Sequence, residues 1–576
     1  MLLAKINQQG FTGVKRPGKA ENCERQCNSW ASTVLAVLSA AILAACGGGG
    51  SSTDASTGTA VASKTAVALS ENEKAMQELQ REDDDEDDND EANSGRKECK
   101  DRNNKTFRKL LRCVTLDGVR AHQFKLNEIA LANNNTRVSG TKGYDDSADY
   151  AEKVFRDAGY KVTTQTFQFQ SFIELPGTSL SRTAPAPAAP IAAVIMSYSG
   201  SGNVTAPVSV PTNVLGCNAA DFAGFPAGNI ALISRGICSF ASKATNAQAA
   251  GASAVVIYNN RAGPLNGTLG ETFALDIAVV GVEQTVGEQL AATAGLVLAV
   301  KANTVRGLAT TRNIIAESKE GDSDNVVMVG AHLDSVDKGG GIQDNGSGSA
   351  AILEVAVQMG KVKPRNKLRF ALWAAEESGL VGSTKYVEGL LPAEKDKIAL
   401  YLNFDMIGSP NHVFFIYDGD NSDAVGAGPG PVGSNGIEKT FEAFYNKRGV
   451  PFKGTDFDGR SDYGPFIAAG IPAGGLFTGA EGLKTATEAE LWGGVAGAAY
   501  DPCYHQACDN YGNVNLFALD VNSDAVAYAT LQFAMTTEVV NGIKGKKLNP
   551  RIEKSLGGSE AGAVPKWKEF PERFSD

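Results

Sequence analysis

Three short apolar runs each end on residues that bind metals or move protons, and no other feature constrains the fold of this chain so tightly. Val326, Val327, Met328 and Val329 lead to His332; residues 368–375 (LRFALWAA) lead to Glu376 and Glu377; residues 399–404 (ALYLNF) lead to Asp405. Continuous apolar runs of this length suit strands buried on both faces, as in a parallel sheet. Ligands of open α/β sheets bind in the crevice beyond the carboxyl ends of the strands. A hydrophobic core has no need of His, Glu-Glu and Asp at three equivalent strand ends.

The stretch 331–348 (AHLDSVDKGGGIQDNGSG) adds to this set. Asp344 follows Gly339, Gly340 and Gly341 and precedes a helix expected over 347–359, so the chain can return it to the crevice that holds His332. Asp334, two residues from His332, is placed to hold the ring through a hydrogen bond. Adjacent Glu376 and Glu377 can part at the strand end, one toward a metal and one toward a water. A hydrolytic zinc pair needs such a set: a bridging carboxylate, further His or carboxylate ligands, and a carboxylate base that is not itself a ligand. The remaining ligand is expected to be a histidine, and the chain has 4. His122 falls on the apolar face of a helix expected over 116–132 and reads as a packed core residue. His412, in SPNHVFF, has no acidic neighbours and reads as structural or exposed. His505 sits in DPCYHQACDN, between Cys503 and Cys508, whose disulfide would fix Tyr504 and His505 in place.

With 576 residues and 43% hydrophobic content, the chain can fill more than one core. Its first 29 residues are basic, and an apolar run over 30–45 ends in LAAC. That run is short for a membrane span and resembles the lipobox of bacterial lipoprotein signal peptides, which implies cleavage before Cys46 and lipidation of it. The chain is then exported and lipid-anchored to a bacterial membrane, at the outer membrane or cell surface, or secreted. Net charge is −11, and removing the basic leader leaves the remainder more acidic, so nucleic acid is excluded as a partner. Gly, Ser, Thr and Ala over 47–63 and the acidic block 82–91 (EDDDEDDNDE) read as a solvated tether. That block has no Gly at the sixth position of a calcium loop. Six further cysteines fall in close pairs, Cys99 with Cys113, Cys217 with Cys238 and Cys503 with Cys508. Three disulfides are the simplest reading in an exported chain, though about fifteen connectivities are possible.

The middle of the chain changes character. A helix is expected over 147–158 and a strand over 161–169, after which Pro176, Pro185, Pro187 and Pro190 mark a linker. Beyond it, a strand over 229–234, a helix over 241–250 and a strand over 252–258 form a βαβ unit, with further strands over 277–282 and 296–300. The segment RGICSFASKATNAQAAGASAVVIYNN resembles the protease-associated (PA) domain, a module inserted in many exported peptidases. It contains no His and no cluster of ligands, which favours a lid or substrate-access role over catalysis and leaves a plain spacer open. The expected division is 1–45 signal peptide, 46–98 tether, 99–175 and 309–545 two parts of one catalytic domain, 176–308 the PA domain with its linker, and 546–576 a tail.

AHLDS, GIQDNGSG, AAEESGLVGS, NFDMIG, DFDGRSDYGPFIAAGIPAGGLFTGAE and YHQACDN, in this order, resemble the di-zinc aminopeptidases of peptidase clan MH, including secreted bacterial leucine aminopeptidases and fungal aminopeptidase Y. The likeness covers about 114–170 and 311–540. It implies an α/β fold with a mixed central sheet flanked by helices, of the phosphorylase/hydrolase-like kind seen in zinc exopeptidases, carrying a smaller β-rich α/β insert. It implies two zinc ions, one held by His332 and Asp405, one by Glu377 and His505, with Asp344 on both. Glu376 falls on the general base, which acts on a zinc-bridging hydroxide, and Tyr504 on the hydroxyl that stabilises the oxyanion. Arg460 lies on the loop near the substrate's α-ammonium, and Met406 and Phe477 match positions lining an apolar pocket for the first side chain. Some relatives bind calcium, and Asp520 and Asp524 match part of that site, but Cys113 stands where an Asp is expected, so calcium is not implied. Peptides with a free N-terminus are the expected substrates, and a monomer the expected state. The rivals are a carboxypeptidase or amidohydrolase of the same clan, a single-zinc glutaminyl cyclase relative, and a non-catalytic lipoprotein that presents the PA domain for binding. The full ligand set with an intact Glu376 stands against the last two.

Overall fold

The computed structural model describes residue 99 and residues 102–542, apart from 262, 264 and 427; the export segment with Cys46, the tether and the 546–576 tail lie outside the described residues. The three apolar runs are neighbouring strands. Asp322–His332 lies between Asn366–Trp373 and Ile398–Phe404 and pairs parallel to both, and Ile398–Phe404 pairs parallel to Ala473–Phe477. Antiparallel pairing extends the sheet on each side, through Thr304–Glu317 and Lys161–Glu174 at one side and Phe415–Tyr417 at the other, with Lys453–Thr455 at the far edge. The result is an eight-stranded mixed sheet with a parallel centre.

Side-chain alternation explains why these strands read as unbroken apolar runs. Val327, Val329 and Ala331 enter one core with Leu368, Phe370, Leu372, Leu400 and Leu402. Val326 and Met328 enter the core on the other face, with Trp373, Tyr401 and Phe466. Helices cover the first face, among them Leu116–Ala132, Lys142–Asp157, Gly346–Met359 and Leu516–Met535, whose Leu126, Phe155, Leu353 and Phe533 are fully buried there. Each such side chain contributes ~1.5–3 kcal/mol relative to exposure. Gly330 makes room on the second face: a Cβ there would stand 2.5 Å from the Tyr401 hydroxyl and 2.8 Å from Trp373 Nε1.

The second sheet is looped out of the first. Lys161–Glu174 and Thr304–Glu317 pair along their whole length, with Glu174 opposite Thr304, and Leu175 N–H donates to Asn303 at 2.8 Å. Everything between them leaves from one hairpin tip. It forms a separate eight-stranded sheet around the parallel strands Ile230–Ser234, Ala254–Tyr258 and Ala278–Val282, with its own two cores. Two sequence expectations shift here. The helix expected over 147–158 begins earlier, at Lys142, with Thr141 at its N-cap. The proline-rich stretch is more than a linker: Ser179–Ala184 and Ala189–Ile191 pair at the edge of the second sheet. Pro185 and Pro187 lie between these strands and Pro190 in the outermost one, positions where a missing N–H costs no ladder bond.

Disulfides join Cys99 to Cys113, Cys217 to Cys238 and Cys503 to Cys508. Asp524 pairs with Arg448. No helix among the described residues is long and apolar enough to cross a membrane.

Candidate active site

His332 closes its strand, opposite Trp373, and the residues after the neighbouring strands converge on it. Its Nε2 stands 3.1 Å from Asp344 Oδ1, 3.2 Å from Asp405 Oδ1 and 4.0 Å from Glu376 Oε2. His505 Nε2 stands 3.2 Å from Asp344 Oδ2 and 3.0 Å from Glu377 Oε2. Asp344 therefore faces one imidazole with each carboxylate oxygen. His332 Nδ1 is 3.2 Å from the Asp334 carbonyl and 3.7 Å from its carboxylate, so the main chain is the nearer support of the ring. The Asp334 carboxylate accepts Glu376 N–H at 3.3 Å.

Local backbone explains how two adjacent glutamates serve different places. Ala375 has φ +55°, a left-handed conformation uncommon outside glycine, and its N–H is held by Ser139 Oγ at 2.7 Å. Just beyond, Gly379 and Leu380 N–H both donate to the Glu376 carbonyl at 2.8 Å. This turn directs Glu376 toward His332 and Glu377 toward His505.

The electrostatics call for a cation. Burial is the largest influence on Glu376 and Glu377 and raises both above the usual carboxylate range, with neighbouring carboxylates adding to it and the imidazoles opposing. Burial alone would raise Asp344 too, but hydrogen bonds from His332 and His505 outweigh it and hold it low. Burial would lower His505, yet Glu377 and Asp344 raise it to about 10. Glu377 Oε1 is buried with no hydrogen-bond partner. His332, Glu376 and Asp405 form one group whose donor atoms lie within 4.8 Å of one another, and His332, Asp344 and Glu377 form a second. Carboxylate and imidazole donors packed this closely, with an orphaned oxygen among them, fit zinc.

Tyr504 stacks on His505 with ring centroids 3.8 Å apart, and its hydroxyl accepts from Arg460 at 3.0 Å. Arg460 also donates to Glu481 at 2.8 Å. Burial holds the Tyr504 phenol well above its ordinary value despite Arg460, so it carries its proton at neutral pH. A cavity of about 490 Å³ opens over the cluster, lined by Met406, Phe477, Arg460 and Tyr504 and also by Tyr198, Arg261, Leu269 and Glu271 of the second sheet's domain.

The other two histidines stay outside this group. His122 packs between Tyr150 and Glu354, and His412 lies buried against Phe414, its imidazole pushed down to about 4 by burial and Lys484.

Several supporting residues are absent from the sequence expectation. Buried Arg137 donates to the carbonyls of Leu333, Gly340 (2.8 Å) and Gly341 (2.6 Å), tying down the loop between His332 and Asp344. Gly341 has φ +60°, and a Cβ there would stand 2.4 Å from Ser335 Cβ. Asp509 accepts the N–H groups of Ile342, Gln343 and Asp344 at 2.8–3.2 Å. Behind Asp405, Trp373 donates to Tyr401, Tyr401 to Asn403, Asn403 to Ser461 and Ser461 to Asp405 Oδ2. Asp509, Asn403 and Ser461 lie inside the YHQACDN, NFDMIG and DFDGRSDYG motifs, whereas Arg137 lies in none of the six motifs. Arg137→Leu removes the donors of the Leu333 and Gly340 carbonyls, each worth ~1–3 kcal/mol, while the Gly341 carbonyl keeps Gly346 N–H at 2.9 Å. Urea unfolding should show a loss of at least ~2 kcal/mol, and unchanged stability would mean that the loop is held by other contacts.

A mixed α/β sheet that gathers carboxylates and imidazoles at the carboxyl ends of its parallel strands defines a zinc-dependent hydrolase. The family model for peptidase family M28 matches residues 313–530, and that for the PA domain matches residues 204–290. An aminopeptidase of Pseudomonas aeruginosa is 47% identical over 474 residues, 78% of this chain and 88% of the relative. A probable lipoprotein aminopeptidase of Mycobacterium tuberculosis, LpqL, is 44% identical over 453 residues, 75% of this chain and 87% of the relative. The solved zinc aminopeptidase of Bacillus subtilis superposes with a TM-score of 0.54 at 27% identity, covering 72% of this chain and 94% of that one. The chain belongs to peptidase family M28, as an aminopeptidase with an inserted PA domain.

Proposed function

We propose that this centre holds two zinc ions and removes apolar N-terminal residues from peptides. His332 and Asp405 would hold one ion, Glu377 and His505 the other, and Asp344 both. The observation that carries this reading is the two-sided approach of Asp344, one oxygen to each imidazole at 3.1 and 3.2 Å. Zinc, when bound, supplies Lewis acidity, lowering the pKa of water toward ~7 and polarising the peptide carbonyl.

The chain's own residues do the rest. Glu376 is the carboxylate of the set without a ligand role, and it takes a proton from the attacking water. As the water oxygen bonds to the carbonyl carbon, the Tyr504 hydroxyl, held by Arg460, donates to the developing oxyanion. The C–N bond then breaks, and Glu376 returns the proton to the leaving amine. Acidic groups around the cavity suit the substrate's α-ammonium, while Met406 and Phe477 offer only apolar contact to the first side chain.

The three disulfides accord with export. We read Cys46 as the site of a lipid anchor at the outer membrane or cell surface, with 99–175 and 309–545 as a monomeric catalytic domain around a PA domain at 176–308. Leu-anilide and N-acetyl-Leu-anilide test the function beside zinc analysis. Acetylation removes the ammonium charge and leaves buried carboxylates unpaired, a cost of ~1–3 kcal/mol or more. About two zinc ions per chain and at least ~10-fold poorer turnover of the blocked substrate are expected. Equal turnover would reject the aminopeptidase reading, and full activity with one zinc would reject the pair.

A further inference from the structure

We propose that Arg261, on the PA domain, receives the C-terminal carboxylate of short peptides bound in the catalytic cavity. The inference rests on the aminopeptidase reading above, since it assumes that the substrate's amino end lies at the zinc-binding cluster.

The geometry of the cavity sets the substrate's course. One wall carries the cluster and the apolar patch of Met406 and Phe477, and residues beyond the scissile bond can run toward a second wall of the same cavity. That wall is the PA domain, contributed there by Tyr198, Arg261, Leu269 and Glu271. At about 490 Å³ the cavity lies in the range of sites for small ligands.

The wall is fixed in place. Arg306, on the hairpin strand of the catalytic sheet, reaches into the PA domain and donates to the carbonyls of Tyr198 (3.1 Å), Phe273 (3.1 Å) and Leu275 (3.0 Å). In the other direction, the Tyr198 hydroxyl donates to the carbonyls of Gln170 at 3.1 Å and Ser378 at 3.4 Å, the latter next to Glu377. Hydrogen bonds running in both directions fix this part of the PA domain beside the cluster.

Charge then selects the residue. Beyond the metal-binding set, the charged lining consists of Asp456, Asp458, Glu271, Glu481, Arg460 and Arg261. Arg460 is committed to Glu481 and Tyr504. Arg261 is solvent-exposed and has no ion pair or hydrogen bond among the described residues. It is the cation of the lining still available to an anion, and a guanidinium fork matches a carboxylate with two parallel hydrogen bonds.

The test compares Leu-Gly-Gly with Leu-Gly-Gly-amide on the full-length zinc enzyme, with Leu-anilide as reference substrate. In the natural enzyme the free acid should be favoured in kcat/KM by about 10-fold, the order of one charge-assisted hydrogen bond, chiefly through KM. In Arg261→Gln the acid-to-amide ratio should fall to about one, and Arg261→Lys should keep part of it. Ratios are taken within each enzyme, so a loss of active protein cancels. Equal use of acid and amide by the natural enzyme, or an unchanged ratio in Arg261→Gln, overturns the proposal while Leu-anilide turnover leaves the aminopeptidase reading standing. Failure to cleave Leu-anilide overturns both.

Discussion

A Glu376→Gln enzyme is expected to keep its zinc and its fold and to lose turnover by ~100- to 10,000-fold, the range for a lost general acid–base. The amide matches the carboxylate in size and preserves the Glu376 N–H contact with Asp334, which belongs to the backbone. It cannot accept the proton of water, and so cannot deliver one to the leaving amine. The neighbouring substitution gives the contrast: Glu377→Gln should lower zinc occupancy, because Glu377 Oε2 faces His505 at 3.0 Å and Oε1 has no other partner. The left-handed turn at Ala375 sends the two side chains to different imidazoles, and the assignment depends on that divergence. Should Glu376→Gln lose metal while Glu377→Gln keeps both ions without activity, the two roles are exchanged.

Asp344→Asn is expected to empty both metal positions and reduce activity to background. A carboxylate offers an anionic oxygen to each side, and the structure sets one toward His332 and the other toward His505. An amide replaces one of those oxygens with an N–H donor and removes the charge. Disturbing a partner in the outer shell already weakens metal binding by ~10- to 100-fold, and loss of a shared ligand must cost more. Metal analysis after dialysis provides the measure, beside circular dichroism to confirm the fold. An Asp344→Asn enzyme that retains two zinc ions per chain would remove Asp344 from the bridging position. Asp405→Asn, on the His332 side alone, should lose one ion and keep the other.

These predictions draw on residues of two kinds. His332, Asp344, Glu376, Glu377 and Asp405 were legible in the sequence because local rules expose them. A strand buried on both faces must be apolar throughout, so the first His or carboxylate after such a run stands out and lies at the mouth of the sheet. His505 followed from the scarcity of histidine and the cysteines around it. The edge strands near Pro185 and Pro190 resemble a linker in sequence because proline weakens the strand signal wherever it falls, and only pairing reveals that these strands are marginal members of a sheet.

What only the tertiary structure decided is the framework that gives those residues their geometry. Arg137 caps carbonyls about two hundred positions along the chain, and Asp509 gathers the N–H groups of Ile342, Gln343 and Asp344 from a distant loop. Arg306 and Tyr198 lock the PA domain over the cavity through carbonyl contacts. A backbone carbonyl or N–H is the same at every residue, so a side chain that binds one leaves no complementary partner to find in the sequence. Sequence alone determined the candidate donors and the strands that bring them together, because periodicity and residue chemistry are local. Which backbone groups those distant side chains hold, and which wall the PA domain presents to the substrate, depended on the packed chain.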